Sequence, residues 1–75
     1  MEQNDFLLKF ADLFDETDPH EIHAKTIFRD LDEWSSLIAL SVIAMVKTEY
    51  GKTLTNNEMR SCETVEQLFN LIASK

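Results

Sequence analysis

The apolar positions keep a helical rhythm at the start of the chain and then lose it. Phe6, Phe10, Leu13 and Phe14 fall at i, i+4, i+7 and i+8, one buried face of a helix from about Asn4 to Phe14. Leu7 widens that stripe and Leu8 lies at its margin. Asp15-Glu16-Thr17-Asp18-Pro19 breaks the pattern. Asp18, Pro19 and Glu21 then stand in the N-cap, N1 and N3 order of a helical start, so a turn is expected there. His20 to Glu33 is otherwise aperiodic. Ile22, Ile27, Phe28, Leu31 and Trp34 are expected to pin this connection onto the rest, because a loop of such length is usually functional or disordered, and embedded apolar residues favour order.

A second helix follows, from Ser36 or Leu37 to Tyr50, and it is apolar almost all round. Gly51, the only glycine, stands at its end as a C′ residue free to take φ > 0. Thr55 with Glu58 forms a capping box for a short helix near Asn56–Ser61. Thr64 with Gln67 forms another, opening a last helix whose apolar face is Val65, Leu68, Phe69, Leu71 and Ile72. The expected fold is therefore all-α: one domain over residues 1–75, a small antiparallel-type bundle of three main helices plus one short one. No repeat, linker or low-complexity segment interrupts it.

Seventy-five residues bury only about 60% of the surface exposed on unfolding, which leaves little room for a deep enclosed active site. Such a domain cannot surround an apolar helix. With Ile43, Val46 and Tyr50 turned inward, Leu37, Leu40, Ser41, Ala44 and Lys47 fall on or near the opposite side. Leu37 and Leu40 either dock a partner or meet the long loop and Trp34.

The net charge of −7, from 14 acidic and seven scattered basic residues, argues against nucleic acid and anionic membranes and favours a basic protein partner. Without a signal peptide or a twenty-residue apolar run, a soluble cytoplasmic protein with no membrane insertion is expected. Cys62 is alone and reads as a small, partly buried residue. His20 and His23 have a weak metal spacing without a third ligand, so no metal is expected. The pairs Asp15/Glu16 and Asp32/Glu33 read as solvated charge, and no Gly-rich phosphate loop or Ser/His/Asp arrangement is present. Trp34 is expected to pack under the loop, with contact to a group on the neighbouring serine as the alternative.

Ser36 is the most informative residue. A serine at a helix N-terminus meets free backbone N–H groups and the positive end of the dipole, which favour an anion. Phe28-Arg29-Asp30-Leu31 upstream, Ser36-Leu37 at the helix start, Tyr50-Gly51 at its close and Thr64-Val65 at the last helix bring in a resemblance. Over nearly its whole length the chain resembles an acyl carrier protein. The resemblance implies that Ser36 carries 4′-phosphopantetheine, taken from coenzyme A, whose terminal thiol holds acyl or aminoacyl groups as thioesters. It implies a phosphopantetheinyl transferase and acylating, condensing or acyl-transfer enzymes as partners, in a fatty-acid, polyketide or specialised acyl pathway. The chain itself would be a monomer and not an enzyme. An acyl chain folding back between helices would meet Ile43, Met45, Phe69 and Ile72.

Two departures from the family pattern stand out. Ser35 replaces the family's aspartate, and is either a rival attachment site or the N-cap. The second helix also lacks the family's acidic run: Glu49 is its only carboxylate, and acid gathers instead at Asp30, Asp32, Glu33, Glu58 and Glu63. Partners would then read the helix more by apolar contact than by charge. The alternative function is an unmodified helical adaptor that binds proteins through the Leu37/Leu40 face.

Overall fold

The computed structural model describes residues 2–75. Four helices follow one another: α1 (Gln3–Ala11), α2 (Ser36–Tyr50), α3 (Asn56–Arg60) and α4 (Val65–Ala73), and no strand occurs among the described residues. The protein is a small all-α bundle.

α1 stops at Ala11, earlier than its apolar stripe. The amides of Leu13 and Phe14 reach back only three residues, to the carbonyls of Phe10 and Ala11, so the helix tightens into turns. Phe14 is buried all the same, because the turn keeps it on the same side. The long connection is ordered. Asp18 caps a 3-10 turn at Pro19–Glu21 by accepting from the His20 amide, and a second such turn covers Phe28–Asp30. Ile22 and Phe28 are buried in the core as expected, with Leu31 and Trp34 packed against it. Ile27 is a correction: its side chain is 42% exposed, and it holds the connection through its backbone instead. It pairs antiparallel with Thr64, while Phe28 donates to the Glu63 carbonyl and Val65 and Glu66 donate to Thr26 and Ala24.

Both capping boxes form, at Thr55/Glu58 and Thr64/Gln67. Gly51 closes α2 at φ 66, in the left-handed region that spares a side chain's Cβ penalty only for glycine. The buried line of α2 is Val42 and Val46. Ile43 and Tyr50 are half-buried flanks instead of its centre. The molecule measures 29 × 23 × 20 Å, about two helix diameters in its thinnest direction, so α2 keeps an open face.

Aromatic residues tie the halves together. All seven of them form one connected set in which Phe10 meets Phe6, Phe14, Phe28 and Trp34, while Phe6 meets Tyr50 and Phe69. The Phe28 and Trp34 rings are 4.9 Å apart at their centroids. Tilted and offset pairs of this kind add about 0.5–1.5 kcal/mol each beyond burial. The connection is thereby fastened to α1, while its ties to the start of α4 are the backbone bonds around Ile27.

Candidate functional site at the start of the second helix

Ser35 and Ser36 divide the work of starting α2. Ser35 is extended, with φ −152 and ψ 172, and its hydroxyl accepts from the Ile38 amide at 3.3 Å while its carbonyl accepts from Ala39. It is the N-cap, an ordinary use of serine. Ser36 is the first residue of the helix proper and is exposed. Its hydroxyl makes no hydrogen bond within the protein among the described residues, and the amides of Ser36 and Leu37 likewise have no protein partner there. No acidic residue occupies the first turn of α2.

A cleft of about 360 Å³ opens beside Ser36. It is lined by the apolar Phe28, Trp34, Ala39, Leu40 and Met59 and by the polar Arg29, Ser35, Ser36, Asn56 and Arg60. Trp34 packs under the loop as expected, against Phe10, Phe14 and Phe28, and it also borders the cleft.

Arg29 builds the back of this site. Its guanidinium donates to the carbonyls of Met59, Arg60 and Cys62 at 3.4, 3.3 and 2.6 Å, satisfying the end of α3 that a helix leaves open. Local pattern could not reveal that contact, which spans about thirty residues of chain. The arginine holds α3 against the connection and so fixes the width of the cleft.

Leu37 and Leu40 are 71% and 57% exposed, and Ala44 and Lys47 are exposed beside them. Ser41 is half-buried, its hydroxyl turned back onto the Leu37 carbonyl at 3.0 Å. The residues expected on the open face of α2 thus lie there, and Leu37 and Leu40 are not covered by the loop. Ile43, Met45, Phe69 and Ile72 sit in or against the core, and none of them lines the cleft beside Ser36.

Just upstream, Glu33 corrects the reading of acidic pairs as solvated charge. Its carboxylate accepts from the amides of Asp15, Glu16 and Thr17 at 2.7, 3.0 and 2.8 Å, and from the Thr17 hydroxyl at 2.7 Å. Thr17's hydroxyl first, and the three amides after it, hold the Glu33 carboxyl below its ordinary range against the opposing effect of burial. This carboxylate is a clamp for the turn after α1. Beside it lies a second, larger hollow of about 630 Å³ lined by Glu16, Thr17, Glu21, Asp30, Leu31, Asp32 and Glu33. Acid thus collects in one hollow and is missing from the wall of the other.

His20 and His23 are exposed, with His20 Nδ1 3.0 Å from Asp18. No group of side chains suited to a metal occurs among the described residues. Cys62 is a buried free thiol. No described helix is long and apolar enough to cross a membrane. Comparison of the chain with protein-family models, curated proteins and solved structures finds no match.

Proposed function

We propose that the protein is a carrier: a 4′-phosphopantetheine arm is esterified to Ser36, and acyl or aminoacyl groups are held on it for delivery to biosynthetic enzymes. The observation that carries this reading is the separation of roles between two adjacent serines. Ser35 is spent on the helix cap, and Ser36 offers an exposed, unbonded hydroxyl at the head of the longest helix. The surroundings suit a phosphodiester. Two unpartnered amides and the positive end of the α2 dipole favour its charge, and no carboxylate of the first turn or of the cleft wall opposes it.

The arm, when attached, supplies a terminal thiol that holds the cargo as a thioester. The chain's own residues position it. Ser35 fixes the first turn, Arg29 fixes the neighbouring wall, and Leu37, Leu40, Ser41, Ala44 and Lys47 form the face that the transferase and the acyl-transfer or condensing enzymes touch. No residue of the chain is catalytic in this reading. It describes a cytoplasmic monomer, and leaves the pathway open among fatty-acid, polyketide and specialised acyl routes.

The exposure of Leu37 and Leu40 serves a second reading equally, an adaptor that binds a partner through this face without modification. Intact mass separates the two. Wild type, Ser36→Ala and Ser35→Ala are each incubated with coenzyme A and a broad phosphopantetheinyl transferase. The carrier reading expects the gain of one arm in wild type and Ser35→Ala and none in Ser36→Ala. No gain in any of the three, with a transferase shown to be active on another carrier, leaves the adaptor.

A further inference from the structure

The chain has two arginines, and both line the cleft beside Ser36. In a molecule with twice as many acidic as basic residues, neither is in an ion pair with a carboxylate among the described residues. Three of the five lysines behave differently: Lys9, Lys25 and Lys75 each hold a carboxylate within 3 Å. Arg29 is tied by one nitrogen to the α3 carbonyls. Arg60 makes no side-chain bond to the protein among the described residues and is exposed beside the cleft. A guanidinium left free is a ready partner for phosphate or carboxylate oxygens, which it can meet two at a time. The apolar part of the lining, with Trp34, Ala39, Leu40 and Met59, is suited to a hydrocarbon body.

From this juxtaposition we propose that the cleft is a seat for an anionic, partly apolar group carried on Ser36, with Arg60 as its counter-ion. The inference rests on the carrier reading. At about 30 Å³ for each water-sized group, the cleft takes roughly a dozen heavy atoms, a portion of an arm or a short cargo and not a long fatty chain. Attachment at the cleft's own edge raises the effective concentration to the millimolar range, so even a weak seat fills. One chemistry, an oxyanion on an apolar body, has two sources here: the phosphodiester at the point of attachment, or a carboxylate at the far end of the cargo.

Trp34 is the only tryptophan and lines the cleft, so it reports occupancy without any partner enzyme. The protein is loaded by a broad transferase with the bare arm, a hexanoyl arm or an adipoyl arm, loading is checked by intact mass, and quenching of Trp34 by acrylamide is measured. Three chains are compared: wild type, Arg60→Gln and Arg60→Lys. The Arg60 side chain holds nothing in the fold, so both variants keep the bundle, which circular dichroism checks.

An occupied seat lowers Trp34 quenching about twofold. Arg60→Gln raises it back toward the unloaded value, and Arg60→Lys gives a value between. Because an exposed ion pair is weak, the occupancy ratio is expected to change by about two- to fivefold and to fall with added salt. Protection already present with the bare arm, equal for the three loaded forms of wild type and reduced in Arg60→Gln, assigns the phosphodiester. Protection confined to the adipoyl form assigns a carboxylate-bearing cargo. Loaded protein whose Trp34 is unprotected in every form, or protected equally in Arg60→Gln, overturns the seat and leaves the carrier reading intact. Failure to load overturns the carrier reading, and this inference with it.

Discussion

Glu33 and Ser36 are three residues apart and face opposite fates. The Glu33 carboxylate is consumed by the fold, accepting three amides and a hydroxyl that close the turn after α1. Ser36, Leu37, Leu40 and Arg60, a few residues or one cleft away, are left without a structural partner. The same split divides Ser35 from Ser36 and Arg29 from Arg60. A domain this small has few polar side chains to spare, so the ones it uses for caps and clamps are marked by their bonds. Two that it leaves free, Ser36 and Arg60, line the same cleft, and that juxtaposition argues for a working surface.

The comparison can be broken most sharply in the core beneath it. Phe10→Ala removes the ring that touches Phe6, Phe14, Phe28 and Trp34, and a large-to-small change of this kind costs about 3–5 kcal/mol. A chain of this length has about 4–11 kcal/mol in total, so urea unfolding should show a protein at or near the edge of folding. A variant that loses less than about 1 kcal/mol would mean the connection does not depend on its aromatic anchor.

Next in size is the clamp. Glu33→Gln should lower the urea midpoint and speed hydrogen exchange at the amides of Asp15, Glu16 and Thr17 specifically. Its pH signature follows from the direction of the shift. Glu33, Glu58 and Glu66 all have native pKa values below the unfolded range: Glu33 through Thr17, Glu58 through Lys75 and Glu66 through Lys25. The native state therefore binds fewer protons than the unfolded one. The stabilisation is full above the unfolded value of about 4.3 and is lost as pH falls through the lower native values. Glu33→Gln should flatten part of that acid slope and leave the midpoint near pH 7 below wild type. An unchanged slope would return Glu33 to the solvated charge that the sequence suggested.

A smaller pair of effects tests the two serines directly. Ser35→Ala loses the cap and should cost about 1 kcal/mol. Ser36→Ala is an exposed change with no bond to lose and should stay within about 0.5 kcal/mol of wild type. Equal stability losses in the two would erase the division of labour on which the proposed attachment site rests. Smallest of all, Leu40→Ser should leave the unfolding free energy within about 0.5 kcal/mol of wild type while slowing transferase loading, since Leu40 is already mostly exposed. A large fall in stability would mean that this leucine belongs to the core.

How much of this was legible in the sequence depended on the reach of each interaction. The capping boxes at Thr55/Glu58 and Thr64/Gln67 and the glycine stop at Gly51 act over three or four residues, and all formed where the pattern set them. The open face of α2 was legible too, from the mismatch between an all-apolar helix and a short chain. Its inner face was not. With apolar residues on every side, periodicity cannot choose Val42 over Ile43, and tertiary packing made the choice. Glu33 reaching back to Thr17, and Arg29 reaching forward to Cys62, are contacts between distant segments. No local pattern encodes them, so the clamp and the back wall of the cleft stayed hidden until the chain was folded. Arg60 was one scattered basic residue among seven for the same reason.

The pairing of Ile27 with Thr64 has a consequence for the order in which the molecule assembles. The two residues lie 37 positions apart, from 64 − 27, so the contact closes a long loop and its entropy cost must be met before it gives anything back. The helices can begin locally, but the connection cannot set until the C-terminal third of the chain has arrived. A refolding experiment should find α2 gaining helicity ahead of the burial of Trp34. Chain that stops short of Thr64 keeps its serine but lacks this contact, so the set of the connection reports that the chain through Thr64 is present and folded.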